Sequence, residues 1–305
     1  MINRTEKLVA ASAIIFSAIL WGFDGVYLTP NLFQLDVGFV VFMLHLIPFV
    51  LMNTFLYKEY RHLTEMNLSD LVTFFLIALF GGALGTLAIV RALFLVQFNH
   101  LSIVVLLQKL QPIFAIALAA VILKEKLTKH FGLWAAIAIL ASYFLTFGLN
   151  LPEVNAKSNL LAAALWALLA AFSFGASTVF SKKALQKYSY YTANFYRFGF
   201  TTIIMLIFVL ITGKLSEFAS VNDRQWMFFI IISLTTGSAT IFLYYYGLKK
   251  VSAMVSTICE LFFPISAVFF DYIINKQSLT AAQWVSAIIM MIAILKISYQ
   301  RKRVR

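Results

Sequence analysis

The chain has 305 residues, of which 62% are hydrophobic and only 12% charged, with 31 phenylalanines and a net charge of +12. Its mean hydropathy of +0.90 excludes a water-soluble domain, because one core cannot hide so much apolar surface. A bilayer accepts such a chain at about 20 apolar residues per spanning helix.

Apolar runs divide the sequence into ten candidate spans, at roughly 8–28, 35–57, 71–96, 101–123, 131–150, 160–181, 193–212, 226–247, 252–274 and 281–299. They read as helices, since a β-barrel would show short alternating segments in place of continuous runs, so the expected fold class is all-α integral membrane. The first run continues through Trp21-Gly22-Phe23-Asp24 without a small-residue cleavage site and reads as a span, not a cleaved signal. The single cysteine, Cys259, has no partner for an internal disulfide.

Lysine and arginine sort by side. Arg4, Lys7, Lys58, Arg61, Lys124, Lys126, Lys129, Lys182, Lys183, Lys187, Lys249, Lys250, Lys296 and the tail Arg301–Arg305 fall on one side, and Lys157, Lys214, Arg224 and Lys276 on the other. By the positive-inside rule this predicts a multi-pass protein of the cytoplasmic membrane with both termini cytoplasmic. The same placement argues against nucleic acid as the partner of the basic charge and in favour of anionic lipid.

The stretch Leu107–Thr128, LQKLQPIFAIALAAVILKEKLT, has a copy at Glu260–Thr280, ELFFPISAVFFDYIINKQSLT. Pro112 answers Pro264, Lys124 answers Lys276, and Leu127-Thr128 answers Leu279-Thr280, all 152 positions apart. The same offset relates His45 to Arg197 and Gly85 to Gly237, and 153 relates Gly22 to Gly175. Ala92-Leu93 and Gly247-Leu248 need 155, so the third and eighth spans are expected to differ in register by about one turn. Five spans per half invert the second copy, an architecture of carriers with a central site. The expected domains are residues 1–152, the first repeat with spans one to five, and 153–305, the second with spans six to ten; Pro152 breaks the chain between them.

Ala18-Ile19-Leu20-Trp21-Gly22, Ala92-Leu93 with Gly247-Leu248, and Pro112 followed by Glu125-Lys126-Leu127-Thr128 together resemble the EamA type of the drug/metabolite transporter superfamily. The second copy departs from that pattern at Gln277, which stands where the family usually has Glu. The resemblance implies ten helices as two inverted five-helix repeats. It also implies a central cavity lined by helices one to four and six to nine, with five and ten peripheral.

An ionisable side chain in mid-membrane must face protein or water, which makes Asp24, His45, Arg91, Lys109, Arg197, Glu260 and Asp271 informative. Lys109 and Glu260 are the strongest pair, because Gln108 is the repeat partner of Glu260. Gln108 and Gln111 on one stripe, and Glu260 with Asp271 on another, flank Pro112 and Pro264, each of which frees a carbonyl and offers a helix hinge. His45 and Arg197 occupy matching positions, and Asn194 shares a helical face with Arg197. Ser177, one turn from Ser173, and Trp21 with Tyr245 and its neighbours Tyr244 and Tyr246 complete the candidate cavity residues. Structural readings stand beside each of these: a Lys–Glu ion pair, snorkelling of Asp24, Arg91 and Asp271, and helix packing by the serine and the aromatics.

The reading is a secondary transporter that moves a small polar or amphipathic metabolite, an amino acid or similar compound, by alternating access. The in-membrane charges balance, so an organic-cation or drug exporter and an organic-anion carrier stay open. So does a non-transporting membrane protein, either a lipid-modifying enzyme or a scaffold. No catalytic arrangement emerges, and no enzyme activity is expected. Expected partners are the small-molecule substrate, a coupled proton or counter-substrate, and membrane lipids, with no cofactor or metal, in a monomer or homodimer.

Overall fold

The computed structural model describes residues 4–122, 130–147, 149, 159–251, 256 and 259–300. Lys124–Lys129, Pro152, Lys157 and Arg301–Arg305, on which part of the sequence reading rests, lie outside these residues. Among the described residues there is no strand, and seven helices are long and apolar enough to cross a membrane. They are α1 (Thr5–Leu32), α2 (Val37–Phe55), α3 (Leu68–Leu95), α4 (Leu101–Ile122), α6 (Leu160–Lys187), α7 (Tyr190–Ile211) and α8 (Asp223–Lys250). Three shorter apolar helices are α5 (Phe131–Leu145), α9 (Phe262–Asn275) and α10 (Ala281–Lys296).

Side-chain caps start several of these helices. Asp36 accepts from the Gly38 and Phe39 amides ahead of α2, and Ser189 accepts from the Thr192 amide ahead of α7. Helices α3 and α8 open with reciprocal capping boxes, Asn67 with Asp70 and Asn222 with Gln225. Each such cap contributes about 1 kcal/mol to the helix it starts.

Helices α3 and α8 share a second irregularity, a π-helical segment at Ala78–Leu84 in the first and Ser233–Gly237 in the second. The two segments begin 155 positions apart, as do the capping asparagines. The helices as a whole, Leu68–Leu95 and Asp223–Lys250, are 155 apart at both ends, in keeping with the expected shift, while their π-segments end 153 apart. The shift enters before α8, where α7 has 22 residues against 19 in α2.

Packing repeats when the halves are exchanged. α1 lies against α8 and α9, and α6 against α3 and α4; α2 meets α7, and α5 meets α10. Two glycines show how close these crossings are. A Cβ on Gly22 would sit 2.9 Å from the Ala267 nitrogen and 3.1 Å from the Phe263 oxygen of α9. One on Gly175 would sit 2.9 Å from both the Ala115 nitrogen and the Gln111 oxygen of α4. Gln111 and Ala115 are the 152-residue counterparts of Phe263 and Ala267, so one backbone contact is built twice. At the α5–α10 seam, Ala135, Ala138 and Ala141 cluster with Ala287, Met290 and Ala293, the small-residue packing expected where lipid supplies no hydrophobic drive. Large apolar side chains such as Val50, Phe55, Leu140, Leu165, Ile211 and Val285 are exposed on the outer surface, which suits a lipid-facing wall.

Candidate functional site

Between the helices lies a cavity of about 240 Å³, and among the described residues its wall comes from α1–α4 and α6–α8 together with Glu260 and Phe263. Neither α5 nor α10 contributes to it, in keeping with their place at the periphery.

The first polar corner arises from a break in α4. The α-helix runs Leu101–Gln108 and resumes at Gln111–Ile122. Between them the Lys109 and Leu110 amides donate to the Leu106 and Leu107 carbonyls, each at 3.0 Å, in tighter turns. Pro112 explains the break, because it has no N–H for the Gln108 carbonyl and its ring crowds that oxygen. Pro264 deprives the Glu260 carbonyl in the same way ahead of α9. The break lets Lys109 place Nζ 3.9 Å from the Glu260 carboxylate and 4.7 Å from the centre of the Phe263 ring. Glu260 Oε1 also accepts from the Tyr244 hydroxyl at 2.8 Å and the Ser256 hydroxyl at 3.0 Å. Gln111 Nε2 donates to Thr178 Oγ1 at 3.2 Å, whereas the buried Oε1 of Gln108 has no partner.

The second corner is built on the π-segment of α3. Arg197 Nη2 donates to the Gly81 carbonyl at 2.8 Å and Nη1 to the Tyr245 hydroxyl at 3.2 Å. Tyr245 is tied to Ser181 Oγ at 2.7 Å, and Ser177 and Thr201 donate to the Ile77 and Ala78 carbonyls, both at 3.3 Å. A π-segment misaligns carbonyls that a regular helix would use, and here hydroxyls and a guanidinium of α6 and α7 take them. Arg197 Nε is buried and unpaired. His45 Nδ1 stands 2.8 Å from the Val41 carbonyl; a carbonyl only accepts, so that nitrogen carries the proton and leaves Nε2 for another partner.

At the third corner Asp24 accepts from Thr29 Oγ1 at 3.0 Å, and Trp21 Nε1 donates to the Thr236 carbonyl at 3.1 Å while its ring lies 5.4 Å from that of Tyr244. The aromatic wall comprises Trp21, Phe174, Phe198, Tyr244, Tyr245 and Phe263. Among the described residues no cluster of His, Cys, Asp or Glu is arranged to hold a metal ion.

The EamA-like transporter family model matches this chain twice, over residues 8–147 and 161–299. The chain belongs to the EamA-like transporter family. A curated relative, the riboflavin transporter ImpX of Fusobacterium nucleatum subsp. nucleatum (strain ATCC 23726 / VPI 4351), is 51% identical over 294 residues, covering 96% of this chain and 98% of the relative. A crystal structure superposes over the full length of both chains with a TM-score of 0.59 at 14% identity, a likeness of fold alone. The chain is a membrane transporter and not an enzyme.

The transporter brings together most of the residues singled out from sequence. Lys109, Glu260, Gln108, Gln111, Arg197, His45, Trp21, Asp24, Ser177 and Tyr245 all line the cavity; Pro112 follows the break in α4, and Pro264 stands in the first turn of α9. Asn194 does not reach it. It is fully buried in packing and donates to the Tyr190 carbonyl at 2.8 Å; one turn further on, Arg197 extends to α3 instead. Asp271 is also off the wall, accepting from Ser102 at 2.7 Å and Asn275 at 2.9 Å, so it bolts α9 to α4. Arg91 is exposed, beside a surface cleft shared with Asp36. Thr178, Ser181, Phe174, Phe198 and Phe263 escaped the sequence reading as wall residues, and Tyr246, named with Tyr244 and Tyr245, does not line the cavity. Ser181 was findable, since it continues the one-turn ladder Ser173, Ser177.

Proposed function

We propose that this chain carries riboflavin or a closely related flavin across the cytoplasmic membrane by alternating access of two inverted five-helix halves. The observation that carries the substrate reading is the six-membered aromatic wall meeting polar corners, in a chain 51% identical to a riboflavin transporter. A planar tricyclic ring with a hydroxylated tail matches a cavity with apolar and aromatic flanks and hydroxyl-rich ends. An amino acid, the sequence-based preference, would need a carboxylate clamp and an ammonium clamp. Lys109 and Glu260, the pair nearest that description, are turned on each other at 3.9 Å. The aromatic wall favours the flavin over the amino acid and the anion carrier, and the 51% identity to a riboflavin transporter favours it over the cation carrier.

Support for the halves, 1–152 and 153–305, comes from the exchange symmetry of the packing and from the duplicated contacts of Gly22 and Gly175. The orientation rests on the basic residues. Lys126→Cys should resist an impermeant thiol reagent applied to intact cells and label only after permeabilisation; labelling of intact cells would reverse the assignment.

Purified protein should quench riboflavin fluorescence saturably, and riboflavin at 100 times Kd should stabilise the fold by about 2.7 kcal/mol by mass action. Proteoliposomes should accumulate or exchange riboflavin and ignore alanine, lysine and glutamate. Uptake of an amino acid with no response to riboflavin would overturn the flavin reading.

A further inference from the structure

Three polar side chains face the cavity from the break in α4, and two of them are engaged. Lys109 is held by Glu260 and Gln111 by Thr178. The third, Gln108, is 8% exposed, and its Oε1 is wholly buried without a hydrogen-bond partner. A buried acceptor left unpaired in a protein interior calls for an explanation. Gln108 lines the cavity, and turning its carboxamide into that space would bring Oε1 within reach of a donor on a bound molecule. Besides Lys109, Gln111 and Thr86, the lining residues close to it in sequence or on the adjoining α3 are apolar: Val105 on the preceding turn, and Ile89, Val90 and Leu93. The hydroxyls and the guanidinium lie elsewhere on the wall, at Ser177, Ser181, Tyr245 and Arg197.

Resting on the flavin reading above, we infer that Gln108 is a specificity-determining residue that recognises the imide edge of the isoalloxazine ring. The ring lies between the apolar α3–α4 residues and the aromatics beside them, Phe174 and Phe263, and the ribityl tail extends to the hydroxyls of α6 and α8. A primary carboxamide presents an acceptor and a donor side by side in one plane. The imide presents their complement, N3–H beside a ring carbonyl, so two parallel hydrogen bonds form at once. This is the logic by which a glutamine reads the paired donor and acceptor of adenine. A ribityl hydroxyl satisfies only one of the two groups and lies in no fixed plane. Gln108 is also uncharged, which suits a neutral ring that a lysine or arginine would leave with an uncompensated charge.

The test compares riboflavin with 3-methylriboflavin, which lacks the N3 proton, in fluorescence-quenching titrations of the full-length protein in detergent. Wild type should bind riboflavin at least tenfold more tightly than the methylated compound, since a site built to pair a polar group rejects the analogue without it. Gln108→Met, close to glutamine in size but without the amide, should weaken riboflavin binding while shrinking that preference below threefold. Gln108→Ala serves as a second variant with room for the methyl group, and melting curves confirm the fold of both. Equal wild-type affinity for the two flavins, or full discrimination retained in both variants, overturns the assignment. Tight riboflavin binding without N3 discrimination removes Gln108 alone, whereas no binding of either flavin removes the flavin reading and this inference with it.

Discussion

Gly175→Val should abolish recovery of folded transporter, and Gly175→Ala should lower its stability by about 1–3 kcal/mol, the usual cost of overpacking. The obstruction is backbone and not a side chain that can rotate away: a Cβ there lies 2.9 Å from the Ala115 nitrogen and 2.9 Å from the Gln111 oxygen. To admit it, α6 must move off α4. Gly22 predicts the same outcome on the other half, where α1 meets α9 at Ala267 and Phe263 and the Ser266 hydroxyl would lie 2.2 Å away. Gln111 and Phe263 both line the cavity, so the alanine variants should also bind ligand more weakly than their stability loss explains. Gly132→Ala is the control, because nothing lies within 4 Å of a Cβ at that position; a helical Gly→Ala change there should be neutral or stabilising by up to about 1 kcal/mol. Melting temperatures and size-exclusion profiles in one detergent decide the matter. A Gly175→Val protein that melts with wild type would show that the α4–α6 crossing is not as close as described.

The sequence revealed the fold where lipid imposes a rule and the site where burial is expensive. Helices are legible because a bilayer demands long apolar runs, and Lys109, Glu260 and Arg197 are legible because a mid-membrane charge must find protein or water. The same cost argument could not separate wall from bolt. Asp271 is as costly as Glu260, yet Ser102 and Asn275 satisfy it within the packing. Hydroxyls and aromatics carry no such signal, since a serine or threonine can return its proton to its own helix, as Thr178 does to the Phe174 carbonyl at 2.8 Å. That is why Thr178, Ser181 and Phe174 went unread.

Lys109→Met should destabilise the transporter by about 3 kcal/mol, and adding Glu260→Gln should restore most of that loss. The partners bury nearly all of their side chains, at 6% and 14% exposure, so removing the lysine leaves a carboxylate with little water to replace it. Tyr244 and Ser256 still donate to that carboxylate at 2.8 and 3.0 Å, which keeps the expected cost near the lower end of the range for broken buried pairs. Glu260→Gln alone leaves the ammonium with the Phe263 ring at 4.7 Å, a contact contributing about 2 kcal/mol or more when desolvated; that offsets only part of the several kcal/mol cost of a buried unpaired ion, so this single change should also destabilise. With both charges removed, methionine packs against Phe263, and a glutamine at 260 still accepts from the two hydroxyls. The coupling energy from the four proteins should exceed about 1 kcal/mol, well outside the additivity expected for independent sites. A neutral ligand draws no net charge from this pair, so the double variant should bind riboflavin within about tenfold of wild type, a change of 1.4 kcal/mol or less. Additive stability losses would dissolve the pair as a structural unit. A well-folded double variant that no longer binds riboflavin would instead place Lys109 in direct contact with the ligand.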